Sequence, residues 1–99
     1  MPAVTRQGDA CTGHACFPPR TSVGGSGDVF VNGIPAHRQG DGWKPHTCTD
    51  PRTPHGTHAG SLAGGSPSVF VNGLPLGRVG DPVDCGSLVA SGSPDVFAG

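Results

Sequence analysis

The chain has 99 residues, 18 of them glycine and 11 proline, with 33% hydrophobic residues, four phenylalanines, one tryptophan and no tyrosine. That is enough for one domain and too little for a large conventional core. A formal charge of −1 from 6 basic and 7 acidic residues supplies neither the basic face that nucleic acid needs nor a cationic run for an anionic membrane surface.

The N-terminal "MPAVTRQGD" has no hydrophobic centre of the signal-peptide kind, and no apolar run nears the roughly 20 residues of a membrane span. Synthesis in the cytoplasm is therefore expected, with any export by another route. Glycine and proline fill more than a quarter of the chain, a composition compatible with disorder. Their placement argues for order instead, because they recur at matched positions beside the same apolar triplets, as turn residues between short strands do. The expected fold class is all-β and rich in turns, with almost no room for a helix.

Residues 24–41 read "GGSGDVFVNGIPAHRQGD". Val29-Phe30-Val31 is a β-branched and aromatic triplet, and the Asn32-Gly33 that follows suits the positive φ angles of a two-residue hairpin turn. The return strand runs through Pro35 to Arg38 and Asp41, where Gly40-Asp41 suits a second turn and the two charges can pair across it. Residues 64–81, "GGSPSVFVNGLPLGRVGD", repeat the unit at an offset of 40 with twelve of eighteen positions identical. Val69-Phe70-Val71, Asn72-Gly73, Pro75, Arg78 and Asp81 take the corresponding places. A third copy is cut in two: residues 91–99, "SGSPDVFAG", match its beginning, and residues 2–9, "PAVTRQGD", match its end. Joined in space, they would close a pseudo-threefold body with the last strand beside the first.

The repeated "GSP.VFVNG.P..R.GD" unit resembles that of the PAAR-repeat proteins, and the resemblance spans essentially all of residues 1–99. The tetrapeptides standing where the family's PAAR would fall are "AVTR" (3–6), "PAHR" (35–38) and "PLGR" (75–78). The resemblance implies a small pointed cone with a metal site near its tip. It also implies a partner: the blunt end of a trimeric β-helical spike, VgrG-like in type VI secretion or the central spike of a contractile phage tail.

The segments between the units carry the candidate chemistry. His14 lies five residues past Asp9 and His46 five past Asp41, so the two are equivalent by spacing. The third Gly-Asp leads to Cys85, which stands seven residues before Gly92 as His58 stands seven before Gly65. Three imidazoles and a thiolate suit tetrahedral Zn²⁺, with iron as an alternative. A filled His₃Cys set leaves no position for a reacting water, which implies a structural metal. A small body with few large apolar residues needs such a staple, and structural zinc contributes on the order of 10–16 kcal/mol in small domains.

Other residues carry alternative readings. His55, three residues before His58, is the rival third histidine ligand. His37 falls where the sister unit has Gly77 and is expected to be solvated. Cys11, Cys16 and Cys48 have no repeat partners and fit buried thiols, a disulfide formed outside the cell, or a second metal site. Trp43 and Phe17 are expected to cover the insertions. Phe30, Phe70 and Phe97 either fill a small central core or pave the base that meets the spike.

The leading functional expectation is a non-enzymatic, metal-stiffened spike tip that helps breach a bacterial outer membrane. A small zinc-dependent hydrolase or effector delivered on the spike is the alternative. A cytosolic zinc module is a third possibility, though its nucleic-acid form lacks a basic face.

Overall fold

The computed structural model describes residues 1–14, 16–48 and 56–99. These form six two-residue strands: β1 (Phe30–Val31), β2 (Ile34–Pro35), β3 (His46–Thr47), β4 (Thr57–His58), β5 (Phe70–Val71) and β6 (Leu74–Pro75). They pair antiparallel as β1–β2, β3–β4 and β5–β6, and single bridges connect the remainder. The fold is all-β, and no helix among the described residues is long and apolar enough to cross a membrane. The body is elongated, 42 × 23 × 22 Å.

The hairpins form where the Asn-Gly pairs predict them. Asn32 and Gly33 have φ of 55° and 76°, and Asn72 and Gly73 have 54° and 78°, the left-handed values that a tight hairpin turn demands. Phe30 then faces Pro35 and Phe70 faces Pro75.

Beyond the hairpins, the return segments close into a triangle. Backbone N–H groups of Thr5, Gly77 and His37 donate to the carbonyls of Gly77, His37 and Thr5 respectively, at 3.0, 2.9 and 3.2 Å. One layer out, Gln7, Gln39 and Val79 donate to Pro35, Pro75 and Ala3 at 2.9, 2.9 and 2.8 Å. Each of the three segments therefore has a neighbour on both sides, and none is left as a free edge.

Three serines secure the turns above this ring. Ser26, Ser66 and Ser93 are buried, and each hydroxyl accepts a 2.9 Å bond from the backbone N–H three residues on, at Val29, Val69 and Val96. The hairpins interlock through the same serines. Ser93 donates to Asn32 Oδ1 at 2.6 Å, Ser26 to Asn72 Oδ1 at 2.7 Å, and Ser66 to the carbonyl of Gly99. The glycine preceding each serine is required by close approach: a Cβ at Gly25, Gly65 or Gly92 would lie 2.8, 2.8 or 2.6 Å from the adjacent return segment.

The charge pairs read from the sequence are present. Arg6–Asp9, Arg38–Asp41 and Arg78–Asp81 approach to 3.0, 2.9 and 2.9 Å. Burial pushes the Asp41 carboxyl up, but its bonds from Arg38 outweigh that and leave it below the usual carboxylate range. The chain ends meet as well: Val4 N–H donates to Val96 at 2.9 Å, and Ala3 bridges Phe97.

Two apolar clusters fill the body. The first holds Val4, Val31, Ala36, Val71, Leu76 and Ala98; the second holds Cys11, Trp43, Leu62, Val83 and Val89, with Cys85 against it. Strand alternation decides which triplet residues enter the first. With Val31, Val71 and Ala98 pointing inward, the preceding Phe30, Phe70 and Phe97 point outward. Their exposures of 55%, 56% and 50% correct the reading of these rings as core filling.

The expectation that His37 is solvated is also overturned, since its side chain is fully buried. The reason is the triangle. Thr5, His37 and Gly77 occupy equivalent corners and must share one small space. A Cβ at Gly77 would already lie 2.7 Å from Leu62 Cδ2 and 2.8 Å from Thr5 Cγ2. Glycine at that corner leaves volume that larger groups fill from elsewhere. His37 Nδ1–H donates to the Gly24 carbonyl at 2.7 Å, and its ring meets Trp43 edge-on at 5.2 Å.

Because residues 91–99 supply Ser93, Val96 and Ala98 to this closure, deleting them should abolish the cooperative thermal transition followed by circular dichroism. A truncated chain that melts at the parental temperature would refute closure through the termini. Burial holds His37 below its ordinary value of 6.5, offset in part by its bond to Gly24. Its neutral form is thus favoured by folding: the contribution is complete above pH 6.5 and diminishes as pH falls below that, where the unfolded chain protonates first. Denaturant titrations from pH 8 to pH 5 should show a shallower acid-side loss for His37→Gln than for the parent, and parallel profiles would contradict this.

Candidate metal centre

The four candidate ligands come from three loops. Strand pairing places His46 opposite His58 on β3–β4. His14 is held by a turn in which its N–H and carbonyl bond Phe17 at 3.0 and 2.8 Å. Cys85 sits in a tight turn closed by Gly86 N–H to Val83 at 3.0 Å and Val83 N–H to Ser87 at 2.8 Å.

These loops bring one ligand atom each from His14, His46, His58 and Cys85 to within 4.8 Å of one another. His58 Nε2 lies 3.0 Å from His14 Nε2 and 2.7 Å from His46 Nε2, and Cys85 Sγ lies 3.9 Å from His46 Nε2. Hydrogen bonding alone cannot satisfy both histidine contacts. A neutral Nε2 carries either one proton or one lone pair, so His58 can complete only one of them. A cation shared by all the lone pairs satisfies every member at once.

The surroundings prepare the donors for that cation. His46 Nδ1 stands 2.8 Å from the Pro18 carbonyl; a carbonyl only accepts, so Nδ1 carries the proton and Nε2 presents its lone pair. Phe17, itself buried, lies over the group with ring centroids 4.1 Å from His58, 4.9 Å from His14 and 5.0 Å from His46. Desolvation first, and then the His46 and His58 imidazoles, hold His14 below its ordinary 6.5, which keeps it neutral and available as a donor. The residues therefore fit a soft or borderline divalent ion such as Zn²⁺.

Of the residues singled out in the sequence, His14, His46, His58 and Cys85 come together here, while Phe30, Phe70 and Phe97 flank the first apolar cluster. His55 lies outside the described residues. Cys11 is a buried thiol that accepts a 3.4 Å bond from Arg20 N–H, and Cys16 forms a disulfide with Cys48. Sequence reasoning missed that pairing and the seating of Phe17 on the imidazoles. A signal was present: Cys16 follows His14 by two residues and Cys48 follows His46 by two.

A small all-β body closed on itself, with three histidines and a cysteine converging from its loops where they could hold a metal ion, defines a class of β-repeat proteins. Comparison with protein families identifies which: the PAAR motif model matches residues 12–91, so the chain belongs to the PAAR-motif family. Members of that family are structural proteins at the tip of a secretion-system or phage spike. A search of curated proteins found no match.

Removal of one ligand should exceed the roughly 10–100-fold loss of affinity that follows removal of an outer-shell partner. Cys85→Ala and His46→Ala are therefore expected to lose zinc to a chelator that the parent resists, while His37→Gln retains it. Unchanged zinc affinity in Cys85→Ala would remove that residue from the set. Protons compete for the imidazoles, so retention should also weaken as the pH falls through the histidine range.

Proposed function

We propose that the protein is a metal-stiffened tip that caps a trimeric β-helical spike, VgrG-like or of a contractile phage tail, and helps it pierce a bacterial outer membrane. Residues 1–99 act as one unit, with the third repeat assembled from 91–99 and 2–9. Made in the bacterial cytoplasm, the tip is carried on the spike to the target envelope.

One observation carries this reading. Phe30, Phe70 and Phe97 are half-exposed at three equivalent positions around the first core cluster. A single chain that repeats an apolar contact three times matches a partner made of three chains. Val29, Val69 and Val96, each 37% exposed, precede the rings at the same three positions, and exposed apolar surface repeated in this way marks an interaction site. Family membership supports the same partner.

His14, His46, His58 and Cys85 would hold Zn²⁺, which supplies a cross-link between loops whose strands are only two residues long. The closed donor set favours this structural role over the hydrolase alternative. The action is mechanical: force on the spike is concentrated at a point that the metal prevents from fraying.

Mixed with a trimeric spike, the protein should form a complex of one chain per trimer that persists at high salt, because the surface is apolar. Phe70→Asp should weaken that complex by at least an order of magnitude while leaving the melting temperature nearly unchanged, since Phe70 is 56% exposed. Equal binding by Phe30→Asp, Phe70→Asp and the parent would refute the proposed base.

A further inference from the structure

The disulfide and the metal group join the same two stretches of chain. Cys16 and Cys48, 32 residues apart in sequence, are bonded, and His14 and His46, each two residues earlier, are both in the metal group. The same stretches are also joined by His46 Nδ1 to the Pro18 carbonyl at 2.8 Å, Arg20 Nε to the Pro45 carbonyl at 3.3 Å, Lys44 N–H to the Thr21 carbonyl at 3.0 Å, and the Phe17 ring 5.0 Å from that of His46. On its other side the His14 stretch is bonded to residues 88–91, through Thr12 N–H to Leu88 and Ala90 N–H to Ala10 at 2.8 Å each and Ala10 N–H to Ser91 Oγ at 2.8 Å. Either cross-link must close nearly the same loop, and the entropy of that closure is lost only once.

We propose that Cys16–Cys48 is a redox-controlled clasp on the metal centre: forming the disulfide tightens metal binding, and bound metal protects the disulfide from reduction by the same factor. The reciprocity follows because both events draw on one shared closure. In the oxidation, the Cys16 and Cys48 thiols give up two protons and two electrons as their sulfurs join. A small-molecule disulfide such as oxidised glutathione accepts them and leaves as two thiols. In a reducing cytoplasm the clasp is open, and in an oxidising space it closes. The metal would then be held hardest after the tip has left the cell that made it.

The clasp rests on the metal reading of His14, His46, His58 and Cys85, and the test separates the two. Zinc affinity is measured by chelator competition on the full chain, oxidised with glutathione disulfide or reduced with a phosphine, and the midpoint potential of the cysteine pair is measured with and without zinc. The oxidised chain should bind zinc roughly tenfold more tightly, within the usual range for coupled sites. Zinc should lower the midpoint potential by about 30 mV, the two-electron equivalent of that factor. Cys16→Ser/Cys48→Ser should match the reduced chain, and if this variant does not fold, the two redox forms of the parent still decide. Zinc affinities within twofold of each other would overturn the clasp while leaving the metal site standing. Tighter binding on reduction would also overturn it, because the released thiols would then be joining the site. No zinc uptake in either form would overturn both readings.

Discussion

Everything in this molecule is arranged around the triangle of backbone hydrogen bonds among Thr5, His37 and Gly77. Short strands have exposed edges and small faces, and two-residue hairpins alone are not stable in water. Closing three return segments on one another removes the edges and draws the hairpins into contact. Closure also imposes a volume limit, because three corners face one narrow space. Three large residues would not fit, and three glycines would leave it empty. The chain places Thr5, His37 and Gly77 there and fills the room beside Gly77 with Leu62. His37 and Trp43 are accordingly buried together, with their Nε2 and Nε1 atoms lacking a hydrogen-bond partner among the described residues.

The triangle also accounts for the order of the layers. On one side lie the hairpins and the first apolar cluster, ringed by outward phenylalanines. On the other lie the second cluster and then Cys85 with the histidines. Neither cluster is large, so the rest of the stabilisation is distributed over repeated polar contacts. Each Ser–Asn interlock and each Arg–Asp turn is modest alone, but each satisfies backbone groups that would otherwise be buried unpaired. Around the candidate metal centre the loops are further joined by the Cys16–Cys48 disulfide and by the convergence of His14, His46, His58 and Cys85.

Much of the fold was legible because turn chemistry is local. Asn-Gly and Gly-Asp specify their own backbone angles, so the hairpins at Asn32 and Asn72 and the Arg–Asp turns could be read without knowing what packs against them. The four histidine and cysteine positions were legible for a related reason, since equal spacing in repeated units places residues equivalently in space. Repeat logic failed where copies differ. His37 has no histidine counterpart, and its burial depends on Gly77, some forty residues away, giving up its share of the axis. Phe17 lies in an unrepeated insertion, and its contact with three imidazoles follows from tertiary packing alone. The phenylalanine rings were ambiguous because alternation in a triplet shows that one face is inside without showing which. The inward valines resolve it only once the first cluster is seen.

The two ends of the body stand in different relations to threefold symmetry, and the chemistry of each explains why. At the phenylalanine end the symmetry comes from backbone pairing, which is nearly indifferent to side chains, so three near-identical units suffice. A tetrahedral donor set cannot be built the same way, because three equivalent loops deliver three ligands and a fourth must come from somewhere. The loop that follows residues 24–41 is the longest, and it supplies two of them, His46 and His58, by folding into β3–β4 so that both face one point. The third loop contributes a thiol in place of an imidazole, from a turn too short to extend far. Cys16 and Cys48 then connect the first insertion to the enlarged second one, on the side where symmetry no longer holds the loops together. The repeat therefore governs the body up to the four-donor group, where the demands of a four-ligand site take over from symmetry.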